Sequence, residues 1–140
     1  MVAEPLSRPS ADRLVLLDTS VVIDYPADAV ADRADAAAIS TISLAELAFG
    51  LHTGDPVRDA LRQQRYQWVV RSFDPLPFSE DSALVYGALC AHVRDAGRNP
   101  RPRRFDLLIA SVAVTHQLPL LTRNAKDFAD VHDALTVISV

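Results

Sequence analysis

One cysteine, Cys90, is all that the chain of 140 residues contains. That excludes an internal disulfide and a cysteine-built zinc cluster. Long apolar runs are missing too: none nears the roughly 20 residues of a bilayer-spanning helix. The first 13 residues hold no apolar segment followed by a small-residue cleavage site, so no signal peptide and a cytoplasmic location are expected. Lysine is almost absent, Lys126 being the only one among 14 basic residues. A net charge of −4 excludes a protein that coats nucleic acid through bulk positive charge. The histidines, His52, His92, His116 and His132, lack metal-ligand spacing and are expected at the surface or in packing.

What is present is an ordinary globular balance, 49% hydrophobic and 23% charged residues, enough for one domain over 1–140 with a polar lead-in over 1–13. The chain is organised around Leu14-Val15-Leu16-Leu17-Asp18, four apolar residues running into a carboxylate. This suits a strand buried on both faces in a parallel sheet. Further strands are expected over 37–42, 74–78, 118–122 and 135–140; Pro75 and Pro77 mean that the second of these lies at an edge or is very short. Between them the pattern predicts a short helix from Ser20 to near Tyr25 and a helical stretch over 28–36. Ser43 and Glu46 form a capping box, predicting a helix over 43–52 ended by Gly54 and Pro56. A second helix over 57–73 completes a hairpin with an apolar surface for another chain. Ser79 caps a helix to Ala96, a helix follows over 105–116, and a short helix or turn over 124–130. Strands alternating with helices imply a mainly parallel sheet covered on both faces.

Asp18 follows the first strand, Glu46 lies in the first turn of the helix after the second, and Asp106 opens the helix after an Arg-rich loop over 97–104. Parallel strands would bring the first two to one edge, where open α/β sheets gather ligands. Helix N-termini favour the ionised forms, yet clustered carboxylates repel, and a divalent cation is the usual remedy. Oxygen ligands suit Mg²⁺ or Mn²⁺. Such a centre activates water and neutralises charge on a phosphodiester, which makes metal-dependent phosphodiester hydrolysis the leading chemistry. Arg94, Arg98, Arg101, Arg103 and Arg104, running into Asp106, would hold phosphates beside it. Plainer roles stand next to these: Asp18 as a helix cap, Glu46 as the reciprocal partner of Ser43, and Asp106 paired with Arg103 or Arg104. Asp24 and Asp28 read as surface residues, and Trp68 as packing between helices. A haloacid-dehalogenase-type phosphatase wants a second Asp two positions on, where Ser20 stands.

Four segments carry a resemblance: Leu16-Leu17-Asp18-Thr19-Ser20-Val21-Val22-Ile23, Ser40-Thr41-Ile42-Ser43-Leu44-Ala45-Glu46-Leu47, Phe105-Asp106-Leu107-Leu108-Ile109-Ala110 and Leu121-Thr122-Arg123-Asn124-Ala125-Lys126-Asp127-Phe128. In this order, over about residues 14–128, the chain resembles PIN domains, and most of all the VapC toxins of bacterial toxin–antitoxin pairs. The resemblance implies an α/β fold, a small parallel sheet of four to five strands flanked by helices on both faces. It implies a Mg²⁺-dependent endoribonuclease in which Mn²⁺ can substitute. Asp18, Glu46 and Asp106 become the catalytic acids, with Asp18 and Asp106 as direct metal ligands. Thr19, Ser20, Thr122 and Asn124 would support them, and Arg101, Arg103, Arg104 and Arg123 would bind RNA. Of two candidates for a fourth acid place, Asn124 is uncharged, and Asp127 is taken as the acid. A homodimer and a VapB-type antitoxin docked over the helical hairpin, in a toxin–antitoxin hetero-oligomer, are implied as well. The uncharged Asn124 leaves open an alternative, a weak or inactive PIN module that binds RNA or a protein.

Overall fold

In the computed structural model, which describes residues 13–140, the four apolar residues before Asp18 form β1 (Leu14–Leu17). The expected lead-in, apart from Arg13, lies outside the described residues. β1 is the middle strand of a five-stranded sheet. Its neighbours are β2 (Ala36–Ser40) and β4 (Leu120–Thr122), and the edges are β3 (Asp74–Leu76) and β5 (Val137–Ser139). All four pairings are parallel. The registers Leu17↔Ile39 and Leu17↔Leu121 put Asp18, Ser40 and Thr122 in one row across the carboxyl ends of the three central strands.

Side chains alternate along each strand, so β1 feeds two cores. Leu16, Ala38 and Leu120 point into one, with Leu89 and Val93 of α5 (Glu80–Asp95) and Leu107, Ile109 and Val112 of α6 (Arg104–Thr115). Val15, Leu17, Ile39 and Leu121 point into the other. There they meet Val21 and Val22 of α1 (Thr19–Val22), Val30 of α2 (Ala27–Ala31), Leu47 of α3 (Thr41–Phe49) and Val69 of α4 (Pro56–Ser72). Trp68 packs edge-on to Tyr25 and Phe73, with ring centroids 5.3 and 5.4 Å away, as a packing residue should. Among the described residues no helix is long and apolar enough to cross a membrane.

Several boundaries differ from the sequence reading. Thr41 and Ile42, read as strand, open α3, because β2 stops pairing at Ser40 and the Ser40 hydroxyl accepts the Ser43 N–H at 3.1 Å. The helix thus starts three residues before the expected capping box, and Ser43 lies inside it. Pro56 does not end that hairpin helix: it opens α4 at the first position, where its missing N–H is harmless, behind Asp55, whose carboxylate accepts the Val57 N–H at 3.0 Å. The helix expected over 28–36 is only α2, since Ala36 is already in β2. Ser79 caps α5 as expected, accepting the Ser82 N–H at 3.2 Å. Gly97 then turns the chain with φ +86°, a conformation that favours glycine. Part of the Arg loop is ordered as a 3₁₀ turn, Arg101–Arg103, leading straight into α6, and a second, Ala125–Val131, follows β4.

Leu17 is fully buried between β2, β4 and the α1–α4 layer. Leu17→Ala is expected to lower stability by about 2–5 kcal/mol, read as a lower urea midpoint with an unchanged denaturant slope.

Candidate metal centre

Asp18 is 5% exposed and leaves β1 with extended backbone, φ −69° and ψ 153°. It stands at the N-cap position of α1, yet its side chain caps nothing there. Instead Oδ2 accepts two hydroxyls, Ser20 at 2.7 Å and Thr122 at 2.8 Å. Each hydroxyl has one proton, so each must use its oxygen to accept from elsewhere. Ser20 accepts the Arg123 N–H at 3.2 Å and Thr122 accepts the Asn124 N–H at 3.0 Å. Both donors are thereby locked toward the carboxylate. Among the described residues Asp18 Oδ1 accepts no hydrogen bond.

Glu46 is the sixth residue of α3, one turn further in than expected, and does not reach back to cap it. Its Oε1 lies 2.6 Å from the Thr19 hydroxyl, which is also 2.7 Å from Ser43 Oγ. The Thr19 hydroxyl donates to the carboxylate, the stronger acceptor, with Ser43 Oγ as a second acceptor beside it. Ser40, 3.4 Å from Ser43 and fully buried like it, extends the relay. The sequence reading treated Ser43 only as a cap and missed this chain. Its available signal was a pair of serines three residues apart before an acid.

Asp106 stands in the first turn of α6 and is half-buried; among the described residues it accepts no hydrogen bond. Burial raises its pKa from 3.8 to about 6, and the negative charges of Asp18, Asp127 and Glu46 add to the rise while Arg103 opposes it. Three stretches of sequence thus place their acids in one electrostatic group with Asp106. Asp127 is also ion-paired, with Oδ1 3.3 Å from Arg103 Nη1. Asn124 is exposed, and its backbone N–H serves Thr122. Among the described residues no group of three or more histidines, cysteines, aspartates or glutamates is arranged to hold a metal ion. The available donors are nevertheless all carboxylate oxygens, with Asp18 Oδ1, Glu46 Oε2 and both Asp106 oxygens unclaimed among the described residues. That set fits a hard divalent cation. A cavity of about 460 Å³ at the opposite end of the sheet, beside the starts of β2 and β3, contains none of them.

The arginines divide by what they hold. Arg101 and Arg104 are exposed, Arg104 lying over the Phe105 ring at 5.4 Å. Arg103 is half-exposed and engaged with Asp127. Arg123 donates to the carbonyls of Ser20, Ile23 and Asp24 at 3.0, 3.3 and 2.6 Å, so it fastens the exit of α1.

Comparison with known proteins bears on this geometry. A family model described as PIN domain matches residues 15–134. Ribonuclease VapC5 of Mycobacterium tuberculosis is 34% identical over 127 residues, covering 87% of this chain and 90% of that protein. Ribonuclease VapC of Rickettsia bellii is 31% identical over 134 residues, covering 90% and 96%. Among solved structures, the VapBC-5 toxin–antitoxin member from Mycobacterium tuberculosis superposes with a TM-score of 0.77 at 31% identity, over 91% of this chain and 98% of that one.

The Asp106 carboxyl carries a pH signature. Its folded-state pKa is raised, so its stabilising contribution is complete below 3.8 and is lost as pH rises through about 6. In EDTA, urea unfolding should show the native chain losing on the order of 2 kcal/mol between those limits relative to Asp106→Asn, which cannot ionise.

Proposed function

The chain belongs to the PIN-domain family, and on that premise we propose that it is a divalent-metal-dependent endoribonuclease, the toxin of a VapBC-type pair. The reading is carried by one observation above the others. A buried carboxylate, Asp18, has one oxygen saturated by two locked hydroxyls and the other unclaimed, within the electrostatic reach of an unpartnered Asp106. Such an arrangement costs stability by itself and becomes favourable around a cation. Asp18 and Asp106 hold the ion, with Glu46 beside them. Mg²⁺ is the proposed resident, Mn²⁺ being able to substitute. Bound there, the ion supplies Lewis-acid activation of water and neutralises charge on the phosphodiester.

The remaining work belongs to the protein. Ser20 and Thr122 fix the angle of the Asp18 carboxylate, and Thr19, backed by Ser43, fixes Glu46. Support of this kind orients ligands and tunes their basicity. Arg101 and Arg104, exposed just ahead of Asp106, take backbone phosphates of the RNA. Arg123 is proposed to contribute by holding the α1 exit, with any phosphate contact made by what its carbonyl bonds leave free.

The partner is a VapB-type antitoxin. Phe49, Val57 and Leu61 on the α3–α4 hairpin are 82%, 71% and 62% exposed, an apolar face that suits an antitoxin segment. The toxin would act as a homodimer within that hetero-oligomer, in the cytoplasm.

Asp18→Ala and Asp106→Ala are each expected to lower Mg²⁺-dependent cleavage of total RNA by roughly a hundredfold or more, with native circular dichroism retained. Equal cleavage by all three pure proteins would refute the assignment.

A further inference from the structure

Asp127 is held twice by one nitrogen: Arg103 Nη1 lies 3.3 Å from its carboxylate Oδ1 and 2.7 Å from its own carbonyl oxygen. Of the four candidate acids, Asp127 alone has an ion-pair partner among the described residues. The root of that arginine is stiff. It ends a 3₁₀ turn whose closing bond, Arg103 N–H to the Pro100 carbonyl, is 3.1 Å, and Pro100 and Pro102 restrict the backbone around it. A second clamp, Arg98 to Asp130 at 3.4 Å, joins the same two segments one turn further on. The segment that carries Asp127 is therefore stapled at two points to the loop that delivers Asp106.

We infer that Arg103 is a positioning residue that withdraws Asp127 from direct metal ligation, so that the centre takes a single ion on Asp18 and Asp106. The inference rests on the metal-dependent reading above and deepens it. With Asp127 committed to a guanidinium, the oxygens left unclaimed on Asp18, Glu46 and Asp106 suffice for one hard cation, and the fourth carboxylate that a second ion would need is withdrawn. The same positive charge lies close enough to act on Asp106, so it limits how much additional cation the edge will attract. A lysine would keep the charge but is shorter and more strongly hydrated than the guanidinium, so it would hold Asp127 less firmly.

The test uses the purified full chain with Mn²⁺ alone, titrated calorimetrically and followed by electron paramagnetic resonance. The native chain should bind one ion. Arg103→Met should bind a second, giving a Mn–Mn coupled spectrum, or bind the first roughly tenfold more tightly. Arg103→Lys should restore one-ion behaviour in part. The double variant Arg103→Met with Asp127→Asn removes the pair without leaving a lone charge, which keeps the test open should the single variant fold poorly. It should return to one ion at native affinity. Native-like binding by Arg103→Met would show that Arg103 does not restrain Asp127, and binding by the double variant weaker than native would show Asp127 to be an ordinary ligand; either overturns the inference. A native chain that binds no Mn²⁺ and cleaves RNA in EDTA would instead overturn the metal-dependent reading, and this one with it.

Discussion

The contact on which the centre depends is the hydroxyl of Thr122 on the carboxylate of Asp18, 2.8 Å across 104 residues of sequence. A charge buried to this degree is tolerable only when its oxygens are met. Two hydroxyls meet one of them, and the strand register decides that they can. Because Leu17 pairs with Leu121, the residue after each strand falls beside its counterpart. A slip of one residue would turn Thr122 to the other face and leave Asp18 with Ser20 as its one remaining donor.

The same register organises the rest. Pairing Leu17 with Ile39 brings Ser40 into the row, and Ser40 both starts α3 and ends the hydroxyl relay to Glu46. Sheet geometry and acid placement are thus one problem. The strands bring the backbone to a common edge, and the short hydroxyl side chains translate that alignment into fixed carboxylate directions. Asp106 arrives differently, on the first turn of a helix packed against α5, and the loop before it is tied to the segment after β4 by Arg103 and Arg98.

Much of this was legible before any coordinates. The run into Asp18 reads as a central strand because it has no polar break, and the two prolines near 75 place β3 at an edge, where it lies. Ser79 with acids behind it reads as a cap and is one. The limits of α3 were not legible, since Ser40 and Ser43 are equally good caps and only the end of pairing with β3 selects the first. Glu46 illustrates the same limit: its partner is Thr19, from another strand's end, while local spacing offers Ser43. Arg123 reads as a cation available to phosphate, yet three carbonyls of a neighbouring turn take it up, because carbonyl positions leave no trace in residue type.

The wholly parallel topology has a consequence for synthesis on the ribosome. One of the two edges of β1 is filled by β4, which is translated more than a hundred residues later. Until Thr122 has emerged, a nascent chain has the first acid of its centre with only one of the two donors that orient it, and contacts this distant in sequence form slowly. A chain released early would carry Asp18, Glu46 and even Asp106 with no assembled edge to hold them. The order of the strands therefore delays the hazardous chemistry until β4 has been made.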